Sequence, residues 1–221
     1  MDGITRDWLD EQLRRPAPPR PPEILAGLDL GKVSDYSALA VIERTEAQEN
    51  GRRVGRYAVR GLRRWQLHTD YTKIAADLSE MYDRPPLCGT ALAVDATGVG
   101  NAVVEIVRAA RPRCKIVPVV ITGSQQSLAQ YDPRRGWTVP KKVLADTLQA
   151  LLGTRRLKAS PDLPDYKVLT RELQAFTVKV NIATGNESFE AWREKDHDDM
   201  VLAVAIACWF GEQGRKRPVI G

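Results

Sequence analysis

The chain has 221 residues, 43% hydrophobic and 28% charged, with a formal net charge of +5 at pH 7. That length suits one large domain or one domain with appendages, and the composition excludes wholesale disorder, collagen and coiled coil. The basic balance favours an anionic partner such as nucleic acid, while the three cysteines (Cys88, Cys114, Cys208) and two histidines (His68, His197) argue against zinc or a disulfide framework.

Residues 1–23 read as a proline-rich arm or linker: a polar stretch over Asp7–Arg15, then Pro16-Ala17-Pro18-Pro19-Arg20-Pro21-Pro22, whose prolines favour polyproline II. They hold no apolar signal-peptide core, and no apolar run in the chain approaches the ~18 residues of a membrane span, so a cytoplasmic protein without membrane contact is expected. From Ile24 onward, short apolar runs at 24–30, 37–43 and 54–61 predict three strands in a meander, with Asn50-Gly51 as a hairpin turn. Tyr71, Ile74, Ala75, Leu78 and Tyr82 recur at helical spacing and predict an amphipathic crossover helix.

Ala91-Leu92-Ala93-Val94-Asp95 is an apolar strand ending in a carboxylate, followed by Gly98-Val99-Gly100 and a helix over 101–110. A strand at 116–121, a helix over 140–152, a helix over 166–176 and an alternating strand at 177–182 follow. The last element, 199–210, is apolar on nearly every face and must lie between layers. The predicted class is α/β, an antiparallel meander plus parallel strands with helices covering the sheet, over residues 24–212, and 213–221 form a basic tail.

The informative residues are acids within or beside apolar elements, because an unpaired buried carboxylate is costly unless neutralised, hydrogen-bonded or metal-bound. Asp29 lies in the first strand, Asp95 ends the strand after the crossover helix, and Asp198-Asp199 open the last helix. Each has an ordinary alternative: Asp29 as the start of the Gly31-Lys32 turn, Asp95 as a cap for the next helix, and Asp196, Asp198 or Asp199 as caps of the last one. Together they describe three acids brought to one point, where repulsion demands cations. Oxygen-only ligands suit Mg²⁺ or Mn²⁺, and two such ions about 4 Å apart serve in-line attack on phosphate, so phosphodiester hydrolysis is the implied chemistry.

The stretches Gly27-Leu28-Asp29-Leu30-Gly31, Val94-Asp95-Ala96-Thr97-Gly98-Val99-Gly100 and His197-Asp198-Asp199-Met200-Val201-Leu202-Ala203 resemble the C-terminal nuclease domain of tailed-phage terminase large subunits, which have a ribonuclease H-like fold. Gly136-Trp137-Thr138-Val139-Pro140-Lys141-Lys142 and Glu172-Leu173-Gln174-Ala175-Phe176 extend the resemblance to roughly 24–212. It implies that Asp29 bridges two divalent metal ions, that Asp95 and Asp199 complete one site each, and that Asp198 is an additional ligand. It also implies Asp35 as an accessory acid, and His197 stands where it could touch a metal-bound water or the phosphate. Periodicity leaves open which of Asp198 and Asp199 faces the sheet, and the resemblance favours Asp199.

Basic clusters at Arg52-Arg53-Arg56, at Arg60-Arg63-Arg64, and above all at Arg134-Arg135 and Lys141-Lys142, read as a loop flanking Trp137, are candidates for double-stranded DNA contact. The chain contains no Gly-x-x-x-x-Gly-Lys-[Ser/Thr] phosphate loop. The resemblance therefore implies an endonuclease with little sequence preference that cuts concatemeric phage or prophage DNA beside a separate packaging ATPase, portal or small terminase subunit. If the chain is a cut domain, residues 1–23 end an interdomain linker. The alternatives are a resolvase or transposase of the same fold, an actin-like ATPase fold suggested by Asp29-Leu30-Gly31-Lys32, or a catalytically silent packaging module.

Overall fold

The computed structural model describes residues 20–31, 35–97, 100–124, 128–183 and 198–213. Among these, eight strands form one mixed sheet: β1 (Glu23–Asp29), β2 (Ala38–Glu49), β3 (Arg52–Arg64), β4 (Ala91–Asp95), β5 (Lys115–Thr122), β6 (Gln130–Asp132), β7 (Gly136–Pro140) and β8 (Leu157–Ala159). The order across the sheet is β6-β7-β5-β4-β1-β2-β3-β8. β1, β2 and β3 are antiparallel neighbours, β1, β4, β5 and β7 run parallel, β6 is antiparallel to β7, and β8 is parallel to β3. The predicted meander followed by parallel crossovers is thus the observed architecture, a mixed α/β sheet. Asn50 and Gly51 turn the β2–β3 hairpin with φ of 49° and 76°, as a tight turn between right-twisted strands requires.

Helices α1 (Tyr71–Tyr82) and α2 (Gly100–Ala109) cover one face, where Ala26, Leu28, Leu92 and Val94 meet Ile74, Leu78, Val103 and Val107. On the other face lies α5 (Asp199–Glu212), backed by α3 (Lys141–Gly153) and α4 (Tyr166–Ala183). Every residue of α5 from Asp199 to Gly211 is buried, which explains a helix without a polar side. Among the described residues no helix is long and apolar enough to cross a membrane.

Two expectations need correction. The alternating segment 177–182 is not a strand but the continuation of α4 to Ala183, because an established helix extends at one backbone bond per residue while local alternation is a weak signal. Residues 136–140 are not a loop but β7, with Trp137 buried against Tyr131 and Trp209 at ring-centroid distances of 5.1 and 5.3 Å. The edge strands β6 and β8, three residues each, carry too little pattern to be read in advance.

How α5 sits on the sheet is set at Gly27. A Cβ there would collide with the carbonyl oxygen of Ala203 and lie 2.9 Å from the amide nitrogen of Ala207. Further along, Gly211 approaches within 3.1 Å of a Leu25 methyl on the same measure, so α5 runs opposite to β1 with its N-terminus toward Asp29. On the opposite face Asp77 of α1 is buried but fully engaged. It accepts from Arg63 Nη2 at 2.5 Å, Lys73 Nζ at 2.6 Å and Trp65 Nε1 at 2.9 Å.

Gly27→Ala is expected to lose ~1–3 kcal/mol by forcing α5 off the sheet. Gly61→Ala, whose Cβ would meet only the Val41 side chain at 3.5 Å, is the control and should be neutral or stabilising in the same urea titration. Burial alone would raise the Asp77 carboxyl, but hydrogen bonds from Lys73 and Trp65 and the charges of Arg63 and Lys73 leave it below its ordinary value. Its stabilisation is therefore present above the unfolded value of ~3.9 and lost as pH falls through the folded one. Asp77→Asn should cost ~1–3 kcal/mol at pH 7, with the gap to wild type closing in acid; a gap that stays constant down to pH 3 would refute the charge assignment.

Candidate functional site

Strand alternation decides where the first two acids point. Leu25 and Gly27 lie on the α5 face of β1, so Asp29, two residues beyond Gly27, lies there too. Ala93 lies on that face of β4, so Asp95 does as well. The parallel register pairs Leu28 with Val94, which makes Asp29 and Asp95 the next residues at the adjoining C-terminal ends of two central strands. Asp199 enters from above as the first residue of α5, one turn before the Ala203 that touches Gly27. All three acids are buried, at 7%, 3% and 5% exposure for Asp29, Asp95 and Asp199.

The loop after β1 brings Asp35 to the same end. It folds so tightly over Gly31 that a Cβ there would strike the carbonyl oxygens of Asp35 and Tyr36, while Ser37 Oγ accepts from the Gly31 amide at 3.1 Å. The Asp199 carboxyl is pushed up to about 7, first by burial and then by the negative charges of Asp198 and Asp35, with Arg64 pulling the other way. Tyr71, whose hydroxyl donates to the Gly31 carbonyl at 2.8 Å, is raised by burial and by Asp35. Beside this acid end lies a cleft of about 260 Å³ lined by Asp35, Ser37, Gln66, His68, Asp70 and Tyr71.

The ordinary capping and turn readings of these acids fare differently. Asp95 Oδ1 accepts from the Thr97 amide at 2.8 Å, which orders the turn after β4, and Thr97 Oγ1 in turn accepts from the Ile121 amide of β5 at 2.6 Å. That bond serves the turn after β4, three residues before α2 begins. Asp198 holds the N-cap position of α5, yet its side chain makes no capping hydrogen bond. Glu172 of α4 makes it instead: Oε2 accepts from the amides of Met200 and Val201 at 2.9 and 3.0 Å, and Oε1 lies 3.6 Å from Arg64 Nη1. Burial pushes the Glu172 carboxyl up to about 7, the amide of Val201 opposes this, Asp199 adds to it, and the Met200 amide and Arg64 oppose it. Glu172 was absent from the sequence candidates, although Leu169, Glu172 and Phe176 share a helical stripe and are all buried.

Among the described residues, no group of three or more His, Cys, Asp or Glu side chains stands ready to hold a metal ion. What the acid end offers is carboxylate oxygens from buried Asp29, Asp95 and Asp199 and half-buried Asp198, with Asp198 and Asp35 opposing the Asp199 charge, and by chemistry all-oxygen donors of this kind suit a hard divalent cation. His197 lies outside the described residues.

Placement of the basic candidates is less uniform than the sequence implied. Arg134 and Arg135 are exposed in the β6–β7 turn, whose Asp132 side chain accepts from both their amides at 2.7 and 3.2 Å. Lys141 and Lys142 begin α3 at the other end of β7, and Lys142 pairs with Asp146 at 2.7 Å. The two pairs therefore do not share a loop. On β3, Arg56 meets Glu49 and Arg60 meets Glu43, both at 2.8 Å, Arg53 approaches Glu46 at 3.6 Å, Arg63 is held by Asp77, and Arg64 faces Glu172. These arginines answer acids of the protein's own fold.

No protein-family profile and no curated protein sequence matches the chain. Among solved structures it is similar to the large terminase nuclease from thermophilic phage G20c, with 21% identity and a TM-score of 0.51 over 84% of this chain and 81% of that one. It is also similar to the HK97 bacteriophage large terminase, with 18% identity and a TM-score of 0.51 over 86% of this chain. The chain spans only 40% of the length of that second protein. The shared feature is the fold, and the fold class expected from the sequence is the one these structures have.

Removing one like charge from the acid end should relieve repulsion in metal-free protein. Asp199→Asn is expected to raise the thermal midpoint at pH 8 in EDTA by a few degrees, on the order of 1 kcal/mol. A lowered midpoint would mean that Asp199 serves stability rather than a ligand.

Proposed function

We propose that this chain is an endonuclease domain that hydrolyses phosphodiester bonds of double-stranded DNA with little sequence preference, of the kind used to cut concatemeric viral DNA during packaging. The observation that carries this reading is the placement of Asp29 and Asp95 at adjoining ends of parallel central strands, under the α5 end that bears Asp199. The likeness in fold to two phage terminase structures supports it. Asp29, Asp95 and Asp199, with Asp198, are the proposed ligands of two divalent ions, Mg²⁺ or Mn²⁺. Such ions supply the positive charge that lowers the pKa of an attacking water and stabilises the leaving oxygen.

The chain's own groups have separable parts in this reading. Asp29, on the central strand β1, would be the acid common to both ions, with Asp95 of β4 and Asp199 of α5 each completing one site. Thr97 fastens the end of β4 to β5, which fixes the Asp95 backbone while substrate binds. Asp35 is a proposed accessory acid at the mouth, and His197 a proposed accessory group beside Asp198. Lys141 and Lys142, past the C-terminal end of β7, and Arg134 and Arg135, in the turn before it, are the proposed phosphate contacts along the sheet edge. A separate packaging ATPase, portal or small terminase subunit is the proposed partner.

Supercoiled plasmid incubated with the purified chain and Mn²⁺ or Mg²⁺ should be nicked and linearised. EDTA and the Asp29→Asn variant should each abolish cutting. Folded wild-type protein that leaves the plasmid intact with both metals would sink the proposal.

A further inference from the structure

The following rests on the nuclease reading above and concerns how its paired acids are kept available. Asp198 is the N-cap residue of α5, Asp199 the first helical residue, and Met200 and Val201 the second and third. An aspartate at an N-cap ordinarily bonds the amides of those second and third residues, satisfying helix donors that would otherwise be orphaned. Here both amides are taken by Glu172 Oε2, from a different helix 28 and 29 residues earlier in the chain. Glu172 is 6% exposed, and Asp198 makes no capping bond.

We propose that Glu172 is a positioning residue, a helix cap supplied from α4 that occupies the amides of Met200 and Val201 in place of Asp198, so that the Asp198 carboxylate is not drawn onto them and the α5 start keeps the arrangement in which its acids reach divalent cations. Without it, the helix end would recruit the nearest acid. Asp198 is that acid by position, and a carboxylate bonded to the amides has its acceptor oxygens committed to the helix end rather than to a cation. A glutamate suits the task because its side chain spans the gap between helices while its charge complements the helix dipole. Arg64, 3.6 Å from the other carboxylate oxygen, steadies it from β3. Glu172 thereby does for the acids what a partner of a metal-bound histidine does for the ring: it fixes orientation without touching the ion.

The test is calorimetric titration of the whole chain with Mn²⁺ in wild type, Glu172→Ala, Glu172→Gln and Glu172→Asp, with circular dichroism to establish folding. Glu172→Ala should weaken Mn²⁺ binding ~10-fold or more. Glu172→Gln, which keeps an acceptor oxygen at the same reach, should bind close to wild type. Glu172→Asp, which keeps the charge but is one methylene shorter, should resemble Ala. If Glu172→Ala does not fold, the Gln and Asp variants decide. Wild-type affinity in Ala or Asp overturns the inference, as does a Gln variant as weak as Ala, since that would assign the effect to charge rather than capping. Wild-type protein that neither binds Mn²⁺ nor cuts plasmid overturns the nuclease reading and this inference with it. Normal cutting and Mn²⁺ binding in wild type, with unchanged binding in Glu172→Ala, overturns this inference alone.

Discussion

The contact between Gly27 and the backbone of α5 at Ala203 and Ala207 is the constraint from which the rest of the molecule is arranged. A helix can approach a strand this closely only where no Cβ intervenes, and the approach fixes both the height and the sliding position of α5 over β1. Two residues along the strand from that contact is Asp29, and one turn back along the helix is Asp199. The same steric fact that seats the core helix therefore determines how far apart two of the candidate acids stand.

Burial of α5 on every side gives that arrangement its rigidity. Each large apolar side chain removed from water there contributes ~1.5–3 kcal/mol, and Leu202, Ile206, Trp209 and Phe210 are all buried. At its C-terminal end Glu212 accepts from the Tyr57 hydroxyl at 2.6 Å and from Arg156 at 3.1 Å, tying the helix to β3 and to the segment leading into β8. At its N-terminal end the tie is Glu172. The burial is thus concentrated along the helix, while at its first residues the charges of Asp198 and Asp199 oppose one another.

Two buried acids show what separates a structural carboxylate from a functional candidate. Asp77 and Asp199 are both buried, at 6% and 5% exposure. Three donors surround Asp77 and hold its carboxyl low against its burial, while at Asp199 burial pushes the carboxyl up and the charges of Asp198 and Asp35 add to that. Burial alone marks neither; the sign of the surrounding charge does. The arginines of β3 carry the same lesson, since a run that reads as a phosphate-binding stripe becomes a ladder of cross-strand and interlayer ion pairs once Glu43, Glu46, Glu49 and Asp77 are placed opposite it.

Much of this was written into the chain locally. Local pattern marked β1 to β5 and the five helices among the described residues, because alternation, apolar runs and helical spacing encode which face is buried within a single element. The all-apolar 199–210 segment announced a helix between layers, and carboxylates in apolar company announced Asp29, Asp95 and Asp199. The strands of three residues and the true end of α4 were beyond that signal, being too short or too ambiguous in pattern. Only the tertiary structure decided that Asp29 and Asp95 adjoin, that Asp77 is ion-paired, that Trp137 packs edge-on inside rather than on a loop, and that Glu172 caps a helix 28 residues away. Such pairings depend on register and on the approach of distant segments, which no window of neighbouring residues contains.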